Sequence, residues 1–116
     1  LVRVIVTGGR DYAEETFVAV KLSELGVTEL AEGGATGADR HARKWAQLNG
    51  VPSVVFPIWD SQWRKGGKAE GPKRNARMLA TFKPDAVVAF PGGLGTADMV
   101  RQAKRAGVRV IEVQPE

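Results

Sequence analysis

The sequence predicts an α/β fold, a three-layer sandwich in which helices cover both faces of a central, mainly parallel five-stranded sheet. Segments with strand and helix patterns alternate along the 116 residues, and the strands are apolar on both faces. Glycine-rich turns directly follow several of these strands. A strand with two apolar faces needs a cover on each side, which parallel strands joined by helices provide.

The spacing of apolar residues predicts the individual elements. Predicted strands cover residues 2–6, 28–31, 53–56, 85–90 and 108–113. Predicted helices cover residues 13–25, 37–49, 72–82 and 96–106, with Pro72 in a first turn, where proline is tolerated. Residues 58–70 contain two tryptophans, two glycines and mixed charge without a period, so we predict an irregular segment there.

The composition limits the class of protein. With 43% apolar and 26% charged residues, the chain is typical of a globular protein, and we predict one domain over residues 1–116. There is no cysteine and one histidine, so we predict no metal and no cofactor, and a cytoplasmic location by default. No apolar run reaches the length of a membrane span, and the short apolar start is predicted as a strand rather than a signal peptide.

The charge favours an anionic partner without selecting one. The chain carries 17 Lys and Arg against 13 Asp and Glu, a net charge of +4. A nucleotide, a nucleic acid and an anionic lipid all remain compatible with this modest excess.

Glycine clusters at three turns that follow strands and precede helices. The chain has 14 glycines, and these turns span residues 7–10, 33–39 and 91–96. Ligands of open α/β sheets bind at this edge, where helix N-termini offer free amides and Thr7, Thr36 and Thr96 add hydroxyl groups. Glycine-rich turns also occur in α/β proteins for steric reasons alone, but three at equivalent positions favour a phosphate ligand. None of them matches the dinucleotide fingerprint or a Walker A loop.

A basic segment and several isolated polar residues form a second set of candidates. The cations Arg64, Lys65, Lys68, Lys73, Arg74 and Arg77 are opposed within that stretch by Glu70 alone, and Arg74 and Asn75 are preferred as phosphate or ribose contacts. Trp59 and Trp63 would either stack on a base or fill the interior of a long loop. Asp11, Asp39 and Asp98 would cap helices, bind ribose hydroxyls or act as bases, whereas a structural role is favoured for His41.

Four motifs in order along the chain resemble one protein family. Residues 4–12, 33–39, 71–78 and 90–99 are similar to the YspA-type, YpsA-related branch of the SLOG superfamily, which groups the Smf/DprA and Lonely Guy (LOG) proteins. The resemblance implies a Rossmann-like fold and a nucleotide-derived ligand. It also implies a homodimer or a higher homo-oligomer, because LOG relatives build their sites at a dimer interface.

LOG enzymes hydrolyse the N-glycosidic bond of nucleoside monophosphates, and their motif departs from this chain at one position. Their P-G-G-x-G-T-x-x-E motif aligns with residues 91–99, so its glutamate corresponds to Met99, and their Arg-Lys pair corresponds to Arg74 and Asn75. Methionine cannot stabilise an oxocarbenium ion or direct water. Asp98 is adjacent but points about 100° away around the helix. Whether the chain is an enzyme therefore stays open at this point.

The leading hypothesis is a domain that binds or senses a nucleotide or nucleotide-derived ligand. The alternative is a nucleoside-monophosphate phosphoribohydrolase with Asp98 and Arg74 as catalytic residues, and the third is single-stranded nucleic-acid binding as in DprA relatives. No membrane partner is expected. The predicted ligand-binding residues are Thr7, Gly8, Gly9, Arg10, Gly34, Ala35, Gly37, Asp39, Arg74, Asn75, Pro91, Gly92, Gly93, Gly95 and Thr96.

Overall fold

The computed structural model describes residues 1–114, so the predicted domain range extends two residues outside the described part. Five strands form one sheet: β1 Arg3–Thr7, β2 Glu29–Glu32, β3 Ser53–Val55, β4 Ala86–Ala89 and β5 Arg109–Glu112. Their order is β3-β2-β1-β4-β5, and every neighbouring pair is parallel. The prediction of a mainly parallel five-stranded sheet is confirmed, and the sheet is parallel throughout.

Five α-helices connect these strands. They are α1 Glu15–Glu24, α2 Ala38–Leu48, α3 Asp60–Gly66, α4 Glu70–Phe82 and α5 Leu94–Arg105. A glycine follows the C-terminal end of α1, α2 and α5, as the sequence predicts. These residues, Gly26, Gly50 and Gly107, all have a positive φ, which glycine adopts without a steric cost. Within residues 1–114 no helix has both the length and the apolar character needed to cross a bilayer.

The core lies in two layers, one on each face of the sheet. Val4 and Val6 of β1 point towards a cluster that includes Val18 of α1 and Trp45 of α2. Ile5, between them, points to the opposite face, where the second cluster comprises Ala31, Met78, Phe82, Val87, Met99 and Ala103. Because successive side chains of a strand alternate between faces, the apolar run of β1 is buried on both sides. This is the three-layer arrangement that the strand pattern predicts.

The prediction of an irregular segment over residues 58–70 is wrong. The structure has α3 there, followed by a 3₁₀ turn over Gly67–Ala69, and α4 begins at Glu70. None of the residues of α3 is buried, so the segment carries no periodic apolar pattern that would reveal a helix. A local contact supports its first turn, since the Trp59 amide donates a hydrogen bond to Gln62 Oε1 at 2.8 Å.

Candidate functional site

Open α/β sheets bind ligands in a crevice where the strand order reverses, and we use the name crevice for that place here, the carboxyl edge of the sheet at the ends of β1 and β4. The strand order reverses direction there, so the helices that follow these two strands lie on opposite faces of the sheet. The turns after β1 and β4 meet at this point, where the Gly9 amide donates a hydrogen bond to the Pro91 carbonyl at 2.9 Å. The structure therefore places two of the three predicted glycine turns side by side.

Close backbone contact explains why these two turns contain glycine. A Cβ on Gly92 would lie 2.7 Å from the Gly9 nitrogen, and one on Gly8 would lie 2.6 Å from the Ala38 Cβ. Real Cβ atoms do not approach other atoms so closely. Thr7 joins the same contact, because its carbonyl accepts the Phe90 amide at 2.9 Å. Part of the glycine signal thus reports packing between turns.

The first turn of α5 presents open amide groups beside this contact. Gly93 precedes the helix, and the Ala97 amide donates to the Gly93 carbonyl at 3.0 Å. In the part of the chain that the structure describes, the amides of Leu94, Gly95 and Thr96 have no backbone acceptor. Gly93, Leu94 and Gly95 are exposed. This helix start can therefore accept an anion from solvent.

The second glycine turn differs, because carboxylates of the chain itself accept its amides. The amides of Gly33 and Ala35 both donate to Asp39 Oδ2, each at 3.2 Å. The Gly34 amide donates to Glu32 Oε1 at 2.6 Å. Both carboxylates are buried. The turn is an anion-binding concavity in which the anions are internal side chains.

Sequence reasoning missed Glu32, a fully buried carboxylate at the end of β2. Arg43 from α2 neutralises it, with Nε at 2.8 Å and Nη2 at 3.2 Å. A signal was available, since an acidic residue at the last position of a buried strand, directly before two glycines, can accept the amides that follow. The sequence prediction ends this strand at Ala31 and gives Glu32 no role.

Asp39 is the described carboxyl group whose ionisation the fold shifts most. Its pKa is raised to about 6, mainly by burial and in second place by the charge of Glu32. The amides of Ala35 and Gly33 and the charge of Arg74 oppose this shift. The group consequently titrates close to neutral pH.

Arg74 from α4 reaches across to the second glycine turn. Its Nη1 donates to the carbonyl of Gly33 at 2.7 Å and to that of Phe56 at 3.2 Å. A Cβ on Gly33 would lie 2.5 Å from this nitrogen, so the guanidinium needs glycine beneath it. Burial lowers the pKa of Arg74, while the neighbouring charge of Asp39 raises it. The side chain links α4 to the ends of β2 and β3.

Asn75 joins Arg74 to the first turn of α5. It is 4% exposed, and its Nδ2 donates to the Gly95 carbonyl at 3.2 Å and to Asp98 Oδ2 at 3.0 Å. Its Oδ1 accepts from Arg74 Nε at 3.2 Å. Asp98 Oδ2 also accepts from Gln102 at 2.7 Å. The two predicted catalytic residues are therefore connected through one amide, and their catalytic roles stay predictions.

Met99 lies in the core beneath this turn. It is 0% exposed and packs in the apolar cluster with Ile5 and Val87. The position where LOG enzymes carry a catalytic glutamate therefore faces the interior of this chain, away from the crevice.

Three other sequence candidates have defined positions. His41 Nε2 lies 2.8 Å from the Tyr12 carbonyl and fastens α2 to the loop after β1, a structural contact. Trp59 is 66% exposed and Trp63 is 37% exposed, so neither fills the interior of a loop. The Thr36 hydroxyl donates to the Arg10 carbonyl at 2.9 Å and is engaged within the chain.

The fold and the crevice define a Rossmann-like α/β protein, and comparison with known proteins gives its family. The model of the family described as "YspA, cpYpsA-related SLOG family" (YAcAr) matches residues 2–62. The chain belongs to this family, as its four motifs predict. A search of curated protein sequences finds no match.

Several solved structures have a similar fold. DNA processing protein A (DprA) from Streptococcus pneumoniae superposes with a TM-score of 0.77 and 17% identity, over 100% of this chain and 51% of that one. A structural genomics target designated TM1055 gives 0.69 and 17%, over 95% and 72%. The molybdenum cofactor carrier protein of Chlamydomonas reinhardtii gives 0.65 and 21%, over 96% and 75%. The chain spans about half the length of the DprA structure, and these similarities establish the fold.

Proposed function

We propose that this chain binds a nucleotide-derived ligand whose phosphate lies on the amides that begin α5. The observation that carries the proposal is the contact between the turns after β1 and β4 at the point where the strand order reverses, with open amides beside it. Membership of a SLOG family agrees with it. So does the name of one structural neighbour, the molybdenum cofactor carrier protein.

The chemistry of the helix start suits a phosphate group. The amides of Leu94, Gly95 and Thr96 and the positive end of the α5 dipole would stabilise negative charge. The Thr96 hydroxyl packs against Gly92 at the rim and would add a donor. Gly8, Gly9 and Arg10 would flank the ligand from the turn after β1.

Binding or sensing is favoured over glycosidic hydrolysis. A hydrolase of the LOG type needs a carboxylate that faces the sugar, and Met99 is buried in the core instead. Asp98, the adjacent carboxylate, already accepts hydrogen bonds from Asn75 and Gln102. We therefore place Asp98 as a residue that holds α4 and α5 together beside the ligand.

The test removes one open amide without disturbing the core. Leu94 is the first residue of α5 and is 91% exposed, and proline is tolerated at a first helical position. In calorimetric titrations with AMP, Leu94→Pro should bind about tenfold more weakly, since a hydrogen bond to a charged group contributes roughly 1.5 kcal/mol or more. Leu94→Ala keeps the amide and should bind like the parent chain. Equal affinity of both variants, or no AMP binding at millimolar concentration, would refute the proposal.

A second candidate function, binding of single-stranded nucleic acid, is favoured by α3. Trp59 directly precedes this helix and Trp63 lies within it, and both side chains are exposed. Within residues 1–114, no carboxylate lies in salt-bridge distance of the nearby Arg64, Lys65 or Lys68. Exposed aromatic rings beside unpaired cations suit stacked bases and a phosphate backbone.

Fluorescence anisotropy with labelled oligothymidine tests this second candidate. Affinity should fall steeply with salt, and Trp59→Ala combined with Trp63→Ala should weaken binding at least tenfold. Leu48→Ala, which removes another exposed apolar side chain, is the matched control. Binding that is absent at low salt, or unchanged in the tryptophan variant, would eliminate α3 as a nucleic-acid surface.

A further inference from the structure

Three arginines lie on the segments that border the second glycine turn, and we call them the arginine cluster: Arg10, Arg74 and Arg77. The backbone of Arg10 packs against Gly37 at one end of this turn. The guanidinium of Arg74 packs against Gly33 at the other end. Arg77 lies three residues further along α4, on the same side of the helix as Arg74.

Arg10 and Arg77 of the arginine cluster lack the direct carboxylate partner that Arg3 and Arg43 have, as other exposed arginines of the described residues such as Arg105 also do. Arg3 pairs with Glu29 at 2.6 Å and Arg43 pairs with Glu32 at 2.8 Å. By contrast, in the described part of the chain neither Arg10 nor Arg77 has a carboxylate within salt-bridge distance. These two exposed side chains therefore carry positive charge that no side chain neutralises by direct contact.

Arg74 also keeps free donor capacity. Its Nη1 and Nε bind two carbonyls and the Asn75 side chain, whereas Nη2 has no hydrogen bond among residues 1–114. Burial is the main cause that lowers its pKa, and the like charges of Arg77 and Arg10 lower it further, against Asp39 and Glu32. Arg77 and Arg10 therefore both add positive charge to the surroundings of the Arg74 guanidinium.

The arginine cluster borders the crevice that contains the open amides of α5. On one side, Arg10 directly follows Gly9, and a Cβ added to Gly9 would lie 3.4 Å from the Gly92 Cα. On the other side, Arg74 precedes Asn75, which donates to the Gly95 carbonyl at 3.2 Å. An anion on the α5 amides would therefore have the arginine cluster as its neighbour along the sheet edge.

We infer that the ligand carries at least two linked phosphate groups, one on the α5 amides and the next on the arginine cluster. This inference rests on the proposed function and specifies its ligand class. Guanidinium groups bind phosphate oxygens through paired hydrogen bonds, and three of them would share the charge of a second phosphate. The negative charge of that phosphate would also offset the positive charges that surround Arg74.

Calorimetric titration with AMP and ADP, at constant ionic strength and without divalent cations, tests this inference. ADP should bind at least tenfold more tightly than AMP, since one added group of charge-assisted hydrogen bonds contributes about 1.5 kcal/mol or more. Arg10→Gln and Arg77→Gln should each reduce the ADP-to-AMP affinity ratio to about threefold or less. Both residues are exposed, so these variants avoid the folding defect that loss of Arg74 would bring.

Arg105→Gln is the matched control, because it removes an exposed arginine at the far end of α5 and should leave the ratio unchanged. Equal affinity for AMP and ADP would overturn the inference and leave the proposed function standing. An equal loss of ratio in Arg105→Gln would also overturn it, since general charge would then explain the preference. If neither nucleotide binds, the proposed function itself fails.

Discussion

The glycine turn after β2 and the one after β4 resemble each other in sequence and differ in what their amides bind. In the turn after β2, Asp39 and Glu32 accept the amides of Gly33, Gly34 and Ala35. In the turn after β4, the amides that begin α5 have no such acceptor in the part of the chain described. We call the first the filled turn and the second the open turn.

The difference shows that several glycines in one turn indicate that its amides bind an anion. They do not indicate whether that anion is a side chain or a ligand. A turn of this kind is stable when a carboxylate of the same chain occupies it, and it is available to a ligand when none does. In this chain the filled turn supports the crevice through Arg74, and the open turn faces solvent. The following predictions test this division, beginning with the largest expected effect.

Met99→Glu should destabilise the chain by about 5 kcal/mol at pH 7 and should not create a hydrolase. The position beneath the open turn is fully buried among apolar side chains, where an unpaired carboxylate has a pKa several units above its usual value. Urea unfolding measures the loss, which should shrink at acidic pH as the carboxyl group is protonated. Met99→Leu, of similar volume, should cost less than about 1.5 kcal/mol. A stable variant that releases adenine from AMP would contradict our placement of this residue.

Gly37→Ala should destabilise the chain by about 4 kcal/mol, through strain and overlap in the filled turn. Gly37 has a φ of +70°, and a Cβ there would collide with the Gly9 carbonyl oxygen. Gly95→Ala in the open turn is the matched change, since a Cβ there meets nothing within 4 Å. Its unfolding free energy should stay within about 1 kcal/mol of the parent value. Similar losses in both variants would refute the contrast in packing.

Asp39→Asn should alter the pH dependence of stability. The folded-state pKa of Asp39 is raised to about 6 from 3.8, so the contribution of this group is fully present below pH 4 and is lost as the pH rises through 6. The asparagine variant does not titrate there. Its unfolding free energy relative to the parent should therefore increase by up to ~3 kcal/mol between pH 4 and pH 7. Denaturant titrations at several pH values measure the difference, and a constant difference would contradict the assignment.

Thr96→Val should weaken AMP binding about fivefold, roughly 1 kcal/mol, with little effect on stability. The Thr96 hydroxyl lies at the rim of the open turn against Gly92. Thr36→Val makes the same change in the filled turn, where the hydroxyl already donates to the Arg10 carbonyl at 2.9 Å. Calorimetry should find AMP affinity changed less than twofold in Thr36→Val. The reverse order of effects would exchange the roles of the two turns.

The proposed assembly into a dimer or higher homo-oligomer stays a prediction, as do the individual ligand contacts. Light scattering of the purified chain measures the first. The Leu94 variants, together with the nucleotide titrations, measure the second.

The fold could be predicted from the sequence because the patterns that indicate its strands, helices and turns are local. Apolar runs such as Ala86–Ala89 define buried strands, and glycines mark the turns between elements. These patterns depend on residues a few positions apart, so the element order and the five-stranded sheet follow from them. The helix α3 was not predicted because it buries no residue, so its sequence has no apolar residues at helical spacing.

Tertiary structure decided how the filled turn is connected to the rest of the sheet edge. Arg74 reaches Gly33 across 41 positions of sequence, and Asn75 reaches Gly95 across 20. The charge of Glu32 can be buried because the guanidinium of Arg43, on the following helix, forms an ion pair with it. Such contacts depend on the packing of separate elements, so residue spacing carries no record of them. The sequence determined that glycine turns gather at one edge of the sheet and that Asp39 and Glu32 lie within reach of the amides of one of them. Packing determined that Arg43 neutralises Glu32 and that Arg74 and Asn75 connect the two turns, because these contacts join separate elements.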